Sequence, residues 1–284
     1  MHALAGLGAI ATRYDVVLSD IWGVVHNGVR AHPGAVEALV AYRRQGGRVV
    51  LISNAPRPKG PIIAMMDGFG VPRDAYDDVV TSGDATRVIL EEYRGKTVHY
   101  VGPPRENDSL FEGLDITLGP AEAAKAVVVT DLETDDDTPD MYNDRITGWL
   151  HRNLPLIAAN PDRIVEHGDR LIYCGGALAD LYEARGGMII MVGKPYKPIY
   201  AEALRLAEKA AGRALDRSRI LAIGDSVRTD AIGAAGAGLD LLFITGSIHA
   251  AELDAFGNVD PDAVRRLVEP SGASVVGFMP KLAW

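Results

Sequence analysis

Short apolar runs rich in valine, isoleucine and leucine alternate along this chain with longer amphipathic stretches. This alternation is typical of βαβ units, in which a helix connects two parallel strands. It predicts strands at 15–19, 48–52, 78–81, 97–101, 126–130, 155–158, 171–174, 188–192, 220–224 and 240–244. It predicts helices at 33–46, 58–69, 82–94, 140–152, 176–185, 197–211 and 228–237. We therefore expect an α/β fold built on parallel strands.

Two of the predicted helices carry start signals. Thr81 precedes Asp84 by three positions, which is the spacing of a capping box. Thr138 is followed by Pro139, as expected for an N-cap residue and the first residue of a helix. The acidic run DLETDDDTPD at 131–140 leads into that helix. We interpret the run as a solvated loop whose charges favour the N-terminal end of the helix dipole.

Composition and charge narrow the choice of partners and location. The chain has 284 residues and a formal net charge of −9, whereas nucleic acids are bound by clustered lysine and arginine, so we expect no nucleic-acid partner. The single cysteine, Cys174, excludes an intramolecular disulfide and suits a reducing compartment. No apolar run approaches the ~20 residues of a membrane span, and the N-terminal stretch lacks the features of a signal peptide. We expect a cytoplasmic chain without a membrane partner.

Polar side chains stand where several predicted strands end. Asp20 follows the run VVLS, and Ser53 follows RVVLI. Lys194 comes two positions after MIIMV. Asp225 follows ILAIG, and Asp230 comes five positions later. Because ligands bind at the carboxyl ends of the strands in open α/β sheets, we expect these side chains to converge on one site.

These residue types suit phosphoryl transfer. The carboxylate of Asp20 can attack phosphorus and form an aspartyl phosphate. Asp20 and Asp225 can hold Mg²⁺, which prefers a few protein oxygens together with waters and a substrate phosphate. Ser53 can donate a hydrogen bond to a phosphoryl oxygen, and Lys194 can neutralise charge on the nucleophile and the phosphate.

The order and spacing of Asp20, Ser53, Lys194 and the pair Asp225/Asp230 resemble the four motifs of the haloacid dehalogenase superfamily, across nearly the whole chain. The long insertion between the second and third motifs contains LIAANPD at 156–162. It looks like the α/β cap of class IIA, the subgroup of the NagD-type and pyridoxal-phosphate phosphatases. The resemblance implies a Rossmann-like core made of residues 1–83 and 188–284, and an inserted α/β cap of the C2 type at 84–187.

The resemblance also implies roles in a Mg²⁺-dependent reaction. Asp20 would be the nucleophile, and Lys194 would orient it. Asp20, Asp225 and the backbone carbonyl of Trp22 would hold Mg²⁺, with Asp230 in or near the metal shell.

For substrate binding, the resemblance implies that Ser53 and Asn54 bind the phosphate together with Lys194. Asn160 and Asp162, within Asn160-Pro161-Asp162, resemble a motif near the substrate entrance of the subgroup. These residue types also favour a plain β-turn or a helix start. We expect Arg57, close to the phosphate-binding pair, to contact the substrate as well.

Trp22 departs from the family pattern. Phosphatases of the family carry a second aspartate there, which protonates the leaving group and then activates water. An indole N–H does not titrate near neutral pH and can do neither. His26, four residues later, has an ordinary pKa suited to the missing role, and the alternative is a surface or structural histidine. Trp22 itself either packs under the cap or stacks on an aromatic substrate.

The sequence thus predicts a Mg²⁺-dependent hydrolase of small phosphorylated metabolites that acts through a phosphorylated Asp20. One alternative is a non-catalytic or weakly active phosphate-binding protein that kept the metal site and lost the acid. Another is carbon–halogen cleavage by Asp20, since halide leaves without a proton and some dehalogenases of this superfamily carry an aromatic residue where Trp22 stands. A homodimer is a further expectation, because caps of this subgroup often contribute to dimers.

Overall fold

The computed structural model describes residues 1–105, 107–167, 170–254 and 259–284. Its strands, in chain order, are β1 (Val16–Asp20), β2 (Arg48–Ser53), β3 (Asp78–Thr81), β4 (Thr97–Val101), β5 (Thr117–Leu118), β6 (Val127–Val129), β7 (Leu156–Ala158), β8 (Ile164–His167), β9 (Arg170–Tyr173), β10 (Ile189–Met191), β11 (Ile220–Gly224), β12 (Asp240–Ile244) and β13 (Ser274–Met279). Its α-helices are α1 (Pro33–Arg44), α2 (Lys59–Gly68), α3 (Ser82–Leu90), α4 (Asn143–His151), α5 (Gly175–Ala184), α6 (Lys197–Ala211), α7 (Ile232–Ala237) and α8 (Pro261–Val268).

The chain forms two compact units. The first unit consists of Met1–Ser53, Gly60–Val80 and Lys194–Trp284. The second consists of Asn54–Lys59 and Thr81–Gly193. The core and cap boundaries inferred from the family resemblance stay a prediction.

The first unit is built on a sheet with the strand order β13-β12-β11-β1-β2-β3. The pairs β1–β2, β1–β11, β11–β12 and β12–β13 are parallel. Every residue of β1 and β11 is buried, which explains why these strands read as unbroken apolar runs. The chain proceeds from β1 towards β3 on one side and returns to β11 on the other side. The order therefore reverses between β1 and β11, the position at which such sheets bind ligands.

The second unit has its own sheet, with the order β10-β7-β6-β4-β5 and parallel pairing. β8 and β9 form a separate antiparallel hairpin. Trp149 on α4 and Tyr182 on α5 are fully buried against this sheet, within one apolar cluster. The Tyr182 hydroxyl donates a hydrogen bond to the Leu154 carbonyl at 2.6 Å, so its polar atom is satisfied inside the core.

The predicted α/β class is confirmed, and so is the capping box. The Thr81 hydroxyl accepts a hydrogen bond from the Asp84 N–H, and the Asp84 carboxylate accepts one from the Thr81 N–H. The sequence reading missed β5, β8, β13 and α8. Asp260 caps α8 and Pro261 begins it, so a start signal was present there. In the described part of the chain, no helix has both the length and the apolar character needed to cross a bilayer.

Candidate active site

Three buried carboxylates meet at the carboxyl end of the first unit's sheet. Asp20 is the last residue of β1, and Asp225 directly follows β11. Asp230 lies in a short π-helical segment, Val227–Ala231, before α7. One oxygen from each carboxylate lies within 4.8 Å of the others, and all three residues are buried. The structure thus brings together three of the side chains that the sequence places at strand ends.

Lys194 is the buried cation of this acid cluster. Its Nζ lies 2.7 Å from Oδ1 of Asp20 and 2.7 Å from Oδ1 of Asp230. Burial alone would lower the pKa of Lys194, but the charges of Asp20 and Asp230 outweigh it and raise the pKa. The ammonium group therefore stays charged and bridges two carboxylates.

Backbone donors and Lys194 fix the carboxylates of Asp20 and Asp230. Oδ1 of Asp20 accepts the Ile21 N–H at 2.7 Å. Oδ2 of Asp230 accepts the N–H groups of Asp225 and Ser226, at 3.2 and 3.1 Å. A Cβ on Gly224 would lie 2.2 Å from Cγ of Asp230, so only glycine allows this close approach. The carboxylates are thus held in place before any ligand arrives.

The charge balance of the acid cluster fits a divalent cation. Three carboxylates face one ammonium group, and isolated charges are strongly disfavoured in a buried site. Burial raises the pKa of Asp20 well above its usual value; Lys194 opposes the shift, and Asp230 and Asp225 add to it. Burial and the charge of Asp230 likewise raise the pKa of Asp225. A hard cation such as Mg²⁺ binds oxygen ligands of this kind.

The turn after β1 passes beside the acid cluster. Gly23 has a φ of +81°, a left-handed conformation that favours glycine. A Cβ at this position would lie 2.2 Å from Oδ2 of Asp225. Any larger residue would collide with the carboxylate, so Gly23 is needed for both conformation and space.

Trp22 is mainly exposed rather than packed in the core. Its side chain is 56% accessible to solvent. Its ring meets the edge of His26 with centroids 5.3 Å apart, and it covers Gly28, where an added Cβ would lie 2.2 Å from the indole. The indole therefore lies against its own turn; its packing under the cap and its stacking on an aromatic substrate both stay predictions.

His26 is a structural residue in this turn, and the proposed acid–base role is not supported. Its Nδ1 accepts the Gly28 N–H at 3.0 Å, and its ring lies between those of Trp22 and Phe69. The residue is 1% exposed. Burial, helped by the charge of His32, lowers the pKa of His26 to about 4. A neutral, enclosed imidazole is poorly suited to exchange protons with a substrate near pH 7.

Ser53 ends β2 in the first unit and is partly buried. Lys194 also belongs to the first unit. The other predicted substrate-binding residues belong to the second unit, where three of them form a chain of hydrogen bonds. Asn54 donates to Asp162 at 3.0 Å, and the Asp162 N–H donates to the Asn160 side chain at 3.1 Å. Arg57 donates a hydrogen bond to the Asn107 side chain at 3.2 Å.

Asp131 is a titratable residue that sequence reasoning missed. It begins the acidic run interpreted as a solvated loop, but its carboxylate accepts a hydrogen bond from Asn160 at 2.8 Å. Burial raises the pKa of Asp131 to about 6, although the hydrogen bonds from Asn160 and Cys174 oppose the shift. Its place two residues beyond the end of β6 was the available signal, since Asp20 and Asp225 also stand where buried strands end.

Parallel sheets flanked by helices and a buried carboxylate–lysine cluster at a sheet's carboxyl edge define an α/β enzyme. Two family models match the chain: haloacid dehalogenase-like hydrolase over residues 17–116, and HAD-hydrolase-like over residues 191–269. A crystal structure of a haloacid dehalogenase-like hydrolase from Brucella suis 1330 is 42% identical, with a TM-score of 0.84, and the match covers 98% of each chain. The chain belongs to the haloacid dehalogenase-like hydrolases.

More distant relatives have described activities. The ribonucleotide monophosphatase NagD of Escherichia coli is 28% identical over 240 residues, which is 82% of this chain and 88% of NagD. A glycerol phosphate phosphatase of Mycobacterium tuberculosis, solved in complex with magnesium, is 25% identical with a TM-score of 0.65. That match covers 89% of this chain and 74% of the phosphatase. Within its family, the chain is of the NagD-like class IIA group.

Proposed function

We propose that this protein is a Mg²⁺-dependent hydrolase of small phosphate monoesters that acts through a phosphorylated Asp20. The observation that carries the proposal is the acid cluster, in which Lys194 contacts Asp20 and Asp230 at 2.7 Å each. A buried carboxylate held by a fixed ammonium is well placed for nucleophilic catalysis. The phosphatase activities of the relatives support the same reaction class.

In this mechanism, the free oxygen of Asp20 attacks phosphorus while Ile21 and Lys194 hold the other oxygen of its carboxylate. The bond between phosphorus and the ester oxygen breaks, and that oxygen leaves with the electron pair. Lys194 also offsets negative charge as the phosphoryl group approaches. Ser53 and Asn54 would donate hydrogen bonds to the phosphoryl oxygens. Attack by water on the phosphorylated Asp20 would then release inorganic phosphate and restore the carboxylate.

Asp20, Asp225 and the backbone carbonyl of Trp22 would hold the metal ion, with Asp230 in or near its shell. When bound, Mg²⁺ supplies Lewis-acid stabilisation of negative charge on the phosphoryl oxygens. The donor set supports this assignment because it consists of oxygens and carries more negative than positive charge.

The substrate would be a small phosphorylated metabolite. Asn160, Asp162 and Arg57 of the second unit would contact the part of the substrate that leaves. A cytoplasmic location and a homodimer, both expected from the sequence, stay predictions.

The test of this proposal is Asp20→Asn, assayed with a panel of phosphate monoesters in Mg²⁺. We expect at least a ~10³-fold loss of phosphate release, because removing a covalent nucleophile abolishes the main route. Asp67→Asn is the matched control, since it makes the same change at an exposed pair with Arg73. Circular dichroism would establish that both variants fold. Activity of Asp20→Asn close to that of the wild type would rule out the covalent mechanism.

A second candidate function is binding of a phosphorylated ligand without turnover. Trp22 favours it, because an indole cannot exchange a proton with the leaving group. An activated aryl phosphate distinguishes the two functions, since its leaving group needs little protonation. Turnover supports the hydrolase, whereas binding with no turnover supports the binding protein.

A further inference from the structure

The turn that carries Trp22 passes beside the acid cluster. A Cβ on Gly23, the next residue, would collide with Oδ2 of Asp225 at 2.2 Å, so the backbone here lies next to that carboxylate. The side chain of position 22 begins one residue earlier in the same turn. In this chain it is an indole, whose N–H does not ionise near neutral pH. Position 22 therefore supplies no proton for exchange.

The carboxylates and the lysine are already engaged with one another. Lys194 contacts both Asp20 and Asp230, and Asp230 accepts two backbone N–H groups as well. Asp225 lies with Asp20 and Asp230 in one buried group, and the backbone of Gly23 crowds its Oδ2. Each of these charged groups has a structural task that a proton transfer would disturb.

The surroundings of His26 prevent it from replacing a proton-exchanging side chain at position 22. Its imidazole is almost fully buried, and Gly28 occupies Nδ1. Its ring contacts the edges of Trp22 and Phe69 at centroid distances of 5.3 and 5.2 Å. Neither Trp22, nor His26, nor the charged groups of the acid cluster are placed to donate a proton to a leaving group and then regain one from water.

The first chemical step transfers the phosphoryl group from the phosphoryl donor to Asp20. It can proceed without a proton donor if the leaving group of that phosphoryl donor is stable as an anion. An oxygen of Asp20 forms a bond to phosphorus, the bond between phosphorus and the leaving oxygen breaks, and that oxygen departs with the electron pair. An alkoxide needs a proton to leave, but a carboxylate, enolate or phenolate is stable without one. Phosphoryl donors with such leaving groups therefore need no proton from the residue at position 22.

The rate of the second step, hydrolysis of the aspartyl phosphate, does not depend on the phosphoryl donor. Water attacks phosphorus, the bond to Asp20 breaks, and the proton of water passes to the solvent or to the departing phosphate. The nucleophile and the leaving carboxylate are the same whatever the donor was. Loss of general acid–base assistance slows a step by ~10²–10⁴-fold. An activated phosphoryl donor therefore makes phosphorylation of Asp20 fast, whereas hydrolysis of the aspartyl phosphate stays slow.

Building on the proposed function, we propose that Asp20 forms a long-lived aspartyl phosphate and accepts its phosphoryl group from acyl, enol or aryl phosphates in preference to alkyl phosphates. Release of phosphate then limits turnover. The chain behaves as a phosphoryl acceptor that discharges slowly, rather than as a fast phosphatase of alkyl esters.

The test mixes the full-length protein and Mg²⁺ with acetyl phosphate, p-nitrophenyl phosphate or glycerol phosphate. We expect a rapid burst of p-nitrophenolate that approaches one equivalent per chain, followed by slow turnover. Intact-mass measurement should show one added phosphoryl group on the wild type and none on Asp20→Asn. Acetyl phosphate and p-nitrophenyl phosphate should give the same steady-state rate, because both phosphorylate Asp20 and release of phosphate from Asp20 limits turnover. Glycerol phosphate should be slower and should give no burst.

Two matched variants of Trp22 distinguish the effect of a titratable group at position 22 from the effect of side-chain shape. Trp22→Asp should remove the burst and raise steady-state turnover by up to ~10²–10⁴-fold. Trp22→Asn has nearly the same shape without a titratable group and should keep the burst. Both should fold, because exposed side chains contribute little to stability. The donor series on the wild type tests the proposal without any variant.

The outcomes separate this inference from the proposed function. Turnover without a burst, or glycerol phosphate cleaved as fast as p-nitrophenyl phosphate, would overturn the inference and leave the hydrolase standing. It would mean that some group, in either unit, does exchange a proton. A chain that neither gains a phosphoryl group nor releases phosphate from any donor would overturn the proposed function itself.

Discussion

Lys194 can be replaced by methionine to remove its positive charge while keeping most of its side-chain volume. In Lys194→Met, Asp20 and Asp230 lose the ammonium group that lies 2.7 Å from each of them. Both side chains are at most 10% exposed, so water cannot replace the lost contacts. Removing one partner of a buried ion pair destabilises a protein by ~3–5 kcal/mol, because the other charge remains buried.

The measurement is urea unfolding of the wild type and Lys194→Met in EDTA, together with thermal melts. At ~2–4 °C per kcal/mol for proteins of roughly this size, the melting temperature should fall by about 6–20 °C. Added Mg²⁺ should restore part of the loss, since a ligand present at 100 times its Kd adds about 2.7 kcal/mol to stability. The cation would neutralise the carboxylates that the lysine no longer pairs.

Lys197→Met is the control, because Lys197 is exposed at the start of α6 and the chemical change is identical. We expect it to alter stability by no more than ~0.5 kcal/mol. The double variant Lys194→Met/Asp230→Asn should lose less than the two single losses combined, since the neutral amide needs no counter-charge. If Lys194→Met in EDTA were as stable as Lys197→Met, the account of Lys194 as the charge-balancing group would be wrong.

Two further predictions concern metal affinity and pH. Asp225→Asn should weaken Mg²⁺ binding by at least ~10-fold in titration calorimetry, because changes even in the outer shell of metal sites have effects of this size; unchanged affinity would remove Asp225 from the ligand set. Asp131 has a folded-state pKa of about 6 against an ordinary 3.8. Since the folded state holds this proton more tightly, the wild type should lose stability as the pH rises from 3.8 to about 6, by at most ~3 kcal/mol. Asp131→Asn should lack this component in urea unfolding at several pH values, and parallel curves for the two proteins would contradict the burial argument.

The sequence by itself determined the α/β class and the positions of most strands and helices. The runs DVVLS and ILAIG predicted buried strands, because a strand covered on both faces needs apolar residues at every position. The polar residues that end those runs predicted a site at the carboxyl edge of a sheet. Elements with weaker local patterns, such as the two-residue strand β5, escaped sequence reasoning because their pairing partners, rather than their own residues, decide them.

Only the tertiary structure decided the environment of individual side chains. His26 carries no local sign of burial, yet its ring contacts two other aromatic rings. Asp131 follows a predicted strand, but only the structure shows that its carboxylate accepts a hydrogen bond from Asn160. The side chain of Trp22 is mainly exposed. Local periodicity reports which face of an element is apolar, whereas burial, charge pairing and pKa depend on what distant segments bring next to a residue. The action of Lys194 on Asp20 was expected from the sequence, whereas its second contact, with Asp230, became visible only in three dimensions.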